Sequence, residues 1–230
     1  MALYLLSALL VLCSGLPLAA SDSAPFAKPW KPVPPCAAPV GVDEPAVPES
    51  MCSHQVAQLG SVTVRDYGLP ASATLVQIHI DSTSFYQVLA DGLQALLGYY
   101  QGDNSASRNM LSARTTPVTL RNVGDYNLTW IVGMMISTAA FPSSADIPLA
   151  NLPVELEPVG QRSLAVVQFN TTSLPVDTDF IAACGQLFAA PLPKGYHFNR
   201  SSQWSPTYVL YSGEVSSYFT TECWAEVYRA

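Results

Sequence analysis

The chain has 230 residues, of which 49% are hydrophobic and only 12% charged. That is enough apolar material for a sizeable core and too much for a chain disordered throughout. A net charge of −7, with ten Lys and Arg scattered singly, argues against nucleic acid or an anionic membrane surface as a partner; either needs a concentrated basic face.

Residues 1–20 read as a signal peptide, with an apolar stretch over 3–12 and the small-residue zone Gly15-Leu16-Pro17-Leu18-Ala19-Ala20 for cleavage. The stretch is shorter than the roughly 20 residues a membrane span needs. The expectation is a secreted, extracellular chain without a membrane span. Cys13 leaves with the signal, and Cys36, Cys52, Cys184 and Cys223 remain. An even count in an exported chain implies disulfides. Three pairings are open, and Cys36–Cys52 with Cys184–Cys223 is the expected one: the first staples an N-terminal arm, the second ties a late helix to the last strand. Asn127, Asn170 and Asn199 each open a glycosylation sequon, closed by Thr129, Thr172 and Ser201.

Residues 21–50 are rich in Pro, Ala and Val and are expected as an extended arm, with the folded domain over 51–230. Val62-Thr63-Val64-Arg65 alternates with the period of a half-buried strand, which Gly68 and Pro70 end at a turn. A second strand over 73–80 follows at hairpin distance. Phe85, Val88, Leu89, Leu93, Leu96, Leu97 and Tyr100 recur at steps of three and four, which predicts a helix over 84–100. Asp81, Ser82 and Ser84 are its candidate caps and Gln101-Gly102-Asp103-Asn104 its stop. Strands follow over 117–120 and 129–136. The adjacent Met134 and Met135 read as adaptable core packing rather than metal ligands.

The order then recurs. Val154-Glu155-Leu156-Glu157-Pro158-Val159-Gly160 echoes Val62 to Gly68 position by position, and residues 163–169 parallel the second strand. A helix follows carrying Phe180, Ile181, Cys184, Leu187 and Phe188, with Asp177 or Asp179 near its start. Strands over 207–211 and 222–228 close the unit. Strand, strand, helix, strand, strand, twice, predicts an α+β fold: two β-β-α-β-β repeats sharing one antiparallel sheet, curled into a distorted β-barrel with two helices packed on it.

Val64-Arg65-Asp66-Tyr67-Gly68, the helix end Tyr99-Tyr100-Gln101-Gly102-Asp103-Asn104, Ser112-Ala113-Arg114-Thr115-Thr116-Pro117-Val118 and the closing Glu222-Cys223-Trp224 stand in the order and spacing of one known family. Over residues 51–229 the chain resembles the SOUL haem-binding proteins. The resemblance implies the barrel of two repeats. It also implies non-covalent binding of haem, or another flat apolar ligand, in an apolar cleft beside a helix, with Leu93, Leu97 and Tyr100 as apolar wall and Arg65 or Arg114 facing a propionate. Some members carry a His where this chain has Asp66, and the family's Met is Arg114 here, so the resemblance does not extend to an axial His.

Of the histidines His54, His79 and His197, His79 is expected with Gln77 on the solvated face of its strand, and the others at edges or turns. Tyr67, Tyr99 and Tyr100 are weaker ligand candidates. The sequence has no Gly-x-Ser-x-Gly, no His-Glu-x-x-His and no glycine-rich phosphate loop, so a non-enzymatic chain is expected. Glu155 and Glu157 share a strand face and read as solvated. Two functions follow: a secreted carrier of haem or a related small hydrophobic ligand without a His ligand, or an extracellular partner of another protein that keeps the fold and has lost tetrapyrrole binding.

Overall fold

The computed structural model describes residues 53–67, 73–123, 129–136, 140–151, 153–200, 205–210 and 219–230. The signal segment, the Pro-rich arm, Cys36, Cys52 and Asn127 lie outside these residues, as do the side chains of His54 and Arg114. In order the elements are β1 (Ser53–Leu59), β2 (Val62–Tyr67), β3 (Thr74–Asp81), α1 (Phe85–Gln101), β4 (Arg114–Asn122), β5 (Thr129–Ile136), β6 (Val154–Pro158), β7 (Arg162–Thr171), α2 (Asp177–Ala189), β8 (Tyr196–Phe198), β9 (Thr207–Leu210) and β10 (Phe219–Arg229). All ten strands join one antiparallel sheet ordered β1-β2-β7-β10-β9-β4-β5-β3-β6, with β8 on β10. Among the described residues the sheet ends at β1 and β6 and does not close into a barrel.

The duplication is visible in the pairing. Val62 pairs with Val167 and Asp66 with Ser163 between β2 and β7, while Val154 pairs with Ile78 and Pro158 with Thr74 between β6 and β3. Each repeat therefore hands its first strand to the other. This corrects the hairpin expected between β2 and β3: β2 pairs with β1 and β7, and β3 with β5 and β6. The halves meet where β4 pairs with β9, with Leu120 opposite Tyr208.

Both helices cover one face of the sheet. Ser84 caps α1, its hydroxyl accepting from Gln87 N–H, and the helix stops at Gly102, whose φ of +123° suits a residue without Cβ. Asn104, buried just beyond, donates to the carbonyls of Tyr99 and Arg108 and accepts from the N–H groups of Ala106 and Arg108. One side chain thus completes the backbone bonding of the whole helix-end turn. In α2 the Asp179 carboxylate accepts from Val176 N–H at 2.9 Å. Phe180, Cys184 and Leu187 face the core, whereas Ile181 is 55% exposed, against the expected stripe. The main core joins Val88, Leu96, Leu120, Val132, Phe180 and Leu187. The Cys184–Cys223 disulfide fastens α2 to β10 across 39 residues, a loop whose closure is worth about 4 kcal/mol of stability.

Candidate functional site

Period-two alternation gives the sheet a second inner face, turned away from the helices. On it Tyr67, Met135, Leu164, Val166, Val209 and Trp224 form a separate apolar cluster, with Leu75 and Val159 packed against it. Met134 and Met135 therefore serve different cores, one on each side of β5.

The floor of this face is held by a buried polar chain. Arg65 Nη1 donates to Glu222 Oε1 at 2.9 Å, and Trp224 Nε1 donates to Glu222 Oε2 at 2.7 Å. Arg65 is 7% and Glu222 1% exposed. Tyr67 hydrogen-bonds Arg65, and burial raises the phenol's pKa. For the guanidinium, burial opposes the charge but Glu222 and Tyr67 outweigh it, and the net shift is upward. The Tyr67 and Trp224 rings lie 5.4 Å apart, and the Arg162 guanidinium stands 5.8 Å from the Trp224 ring centre.

Above this floor opens a groove of about 440 Å³, inside the range of small-molecule sites. Leu75, Ile131, Met135, Leu164 and Trp224 supply its apolar wall, and Gln77, Arg121, Arg162, Glu157 and Glu226 its polar groups. A more open chamber of about 570 Å³ adjoins it and shares Gln161, Arg162 and Glu226. Burial lowers the pKa of Arg162, with Arg121 adding repulsion and Glu226 and Glu157 opposing both. Two buried atoms on the groove lining, Gln77 Oε1 and Arg162 Nε, have no partner among the described residues.

Of the residues anticipated from the sequence, those whose side chains are described lie in different parts of the fold. Leu93 and Leu97 are half-buried on α1. Tyr100 is fully buried and donates to the Met135 carbonyl at 3.2 Å, and Tyr99 donates to the Pro148 carbonyl at 2.7 Å. Arg65 points to the other side of the sheet into its ion pair, and Asp66 Oδ1 accepts from Ser163 Oγ at 2.6 Å. His79 is exposed, 3.8 Å from Glu155, and His197 stacks on Tyr228. Gln77, read as solvated beside His79, is buried; it stands between Gly133 on β5 and Glu155 on β6 and lines the groove with Glu157 to Gly160. Among the described residues no cluster of three or more His, Cys, Asp or Glu is placed to hold a metal ion. The groove itself was missed: alternation places residues on a face but does not reveal that the face is concave.

A family model described as SOUL heme-binding protein matches residues 50–197. The chain belongs to the SOUL heme-binding protein family. SOUL proteins bind haem. No curated protein matches the chain. Among solved structures, the C-terminal domain of EcmrR aligns at 11% identity and TM-score 0.47, over 74% of this chain and 98% of that one. SAV2435 bound to tetraphenylphosphonium aligns at 13% identity and TM-score 0.43, over 73% and 93%. In this SOUL chain, Asn104, Arg65 and Trp224, three residues of the family motifs, are engaged in helix capping and the buried polar chain.

The groove fits haem in part. Its apolar wall suits the porphyrin plane and Arg121 and Arg162 suit the propionates. Iron is ligated by His, Cys, Met or Tyr; among the described residues no His lines the groove, and Cys184 and Cys223 are joined to each other. Among the described lining residues the remaining candidate donor is the Met135 thioether.

Proposed function

We propose that this chain is a secreted, non-enzymatic carrier that holds haem or a related tetrapyrrole non-covalently in the groove opposite the helices, without a His axial ligand. The observation that carries the reading is the groove itself: a SOUL chain with a groove walled by Trp224, Leu164 and Ile131 and edged by two guanidiniums. The protein's part is binding. Its wall removes the flat face of the ligand from water, at about 25 cal/mol per Å², and Arg121 with Arg162 pairs with the carboxylates. When present, the iron would supply only its own redox chemistry.

Export is supported by the N-terminal apolar segment with its small-residue end, and by the Cys184–Cys223 disulfide, which belongs to an oxidising compartment. A titration of the purified mature chain with haemin tests the binding. A saturable shift of the Soret band, weakened by Arg162→Gln, is expected. No shift, or one that Arg162→Gln leaves unchanged, rejects the groove as the site. The second reading, an extracellular protein partner on a fold that has lost its ligand, draws support from Arg65 and Tyr100 being consumed by the fold. It is the outcome if no tetrapyrrole binds.

A further inference from the structure

The two repeats make the groove lopsided, and the difference defines its occupant. Across β10 and β7, Trp224 pairs with Val166; at the equivalent place across β5 and β3, Gly133 pairs with Gln77. On the first side the indole fills the face and its N–H goes to Glu222, which also takes Arg65. On the other side no ring stands, and Leu75 leans over Gly133, where a Cβ would lie 3.0 Å from it. Register makes Glu157 the counterpart of Arg65 and Ile131 the counterpart of Glu222, so the ion pair has no equivalent there.

What remains in the open half is an acceptor to which nothing among the described residues donates. Gln77 is 6% exposed, and its Oε1 is buried without a partner on the groove lining. A buried acceptor left unmade is costly, and native folds keep such groups where something else completes them. Toward the other end, Arg162 keeps an unspent Nε donor, and the charge of Arg121 acts on it. Complementarity therefore asks for a flat ligand with N–H donors on one edge and carboxylates on the other.

We infer that the groove selects an open-chain tetrapyrrole over haem. The inference rests on the tetrapyrrole reading above. In haem the pyrrole nitrogens face the ring centre and are spent on iron, so none can donate to Gln77. Opening the ring releases the pyrrole and lactam N–H groups from iron, lets rotation about the remaining bridges turn them to the edge of the ligand, and keeps the propionates. Gln77 Oε1 takes an N–H, Arg121 and Arg162 take the carboxylates, and Trp224 and Ile131 cover the face.

Absorbance titrations with biliverdin and with haemin test this on the full mature chain, using the native sequence, Gln77→Leu and Arg162→Gln. Biliverdin is expected to bind at least about tenfold tighter than haemin. Gln77→Leu is expected to weaken biliverdin about tenfold, the loss of one hydrogen bond, and to leave haemin within about twofold. Its melting temperature should not fall, since the change removes a buried unpaired group, so weaker binding would not reflect misfolding. Arg162→Gln is expected to weaken both ligands. Tighter binding of haemin, or equal effects of Gln77→Leu on both ligands, overturns the preference while leaving tetrapyrrole binding standing. Binding of neither ligand overturns both.

Discussion

Replacing Arg65 with Met asks whether this guanidinium is spent on the fold or free for a ligand. At 2.9 Å from Glu222 Oε1, and at an effective dielectric constant near 20, the attraction lost is about 5–6 kcal/mol. Part of that is offset because one fewer charge has to leave water. The net cost of stranding a buried partner, here Glu222 at 1% exposure, is about 3–5 kcal/mol. Urea unfolding followed by tryptophan fluorescence should show the midpoint falling by about 2 M, taking about 2 kcal/mol per M for the slope. Arg65→Met combined with Glu222→Leu should recover most of the loss, because no charge is then left buried. Haemin affinity of the folded Arg65→Met chain should stay within about twofold. A loss below about 1 kcal/mol in the single variant, with no recovery in the double, would refute the structural role and return Arg65 to the list of propionate partners.

Two further outcomes follow from the packing. A Cβ on Gly92 would stand 2.7 Å from Val132 Cβ, where a β-branched side chain on a central strand has no room to yield, so α1 would have to lift from the sheet. Gly92→Ala should cost about 1–2 kcal/mol in chemical denaturation, overpacking outweighing the gain of about 1 kcal/mol in helix propensity; a more stable variant would show the helix free to slide. Burial pushes the Tyr99 pKa up to about 12, so the fold binds this proton more tightly than the unfolded chain. Its contribution is complete below about pH 10 and lost as pH rises from there toward 12. Alkaline titration by circular dichroism should show that loss, and Tyr99→Phe should reduce it, leaving the share of the buried Tyr67 and Tyr208, while costing about 1 kcal/mol at neutral pH through the missing bond to Pro148; an unchanged profile would count against it.

Period and punctuation made much of the fold legible. The alternation of Val62 and Val64, the three-and-four spacing from Phe85 to Tyr100, and the echo at Val154 all correspond to real elements, because each is a local consequence of burying one face. The pairing Cys184–Cys223 was legible for a related reason, since the duplicated order sets α2 beside β10. Pairing partners were not legible. Nothing in Ala73 to Ile80 says that β3 turns away from β2 to meet β6, for period two marks a face and not a neighbour. The edge strand β1 was missed because Gln55, Val56 and Gln58 are all exposed and leave no alternation. The candidate site suffered most. Arg65 was expected at a propionate and Gln77 in solvent, yet both are buried on a face whose neighbours are brought together only by the assembled sheet.

The exchange of first strands between the repeats bears on how the molecule comes into being. Thr63 donates to a carbonyl 103 residues away, and Arg65 to a carboxylate 157 residues away. One edge of β2 pairs at once with β1, but its other edge waits for β7 and its Arg65 for β10, the last strand made. Folds dominated by such distant contacts form slowly, with strand edges unguarded in the interim. Neither repeat has a finished sheet of its own: a first repeat made alone would leave β3 without β6 and β2 without β7. The two halves are thus one folding unit despite their duplicated order, and the Cys184–Cys223 bond fastens the strand that arrives last.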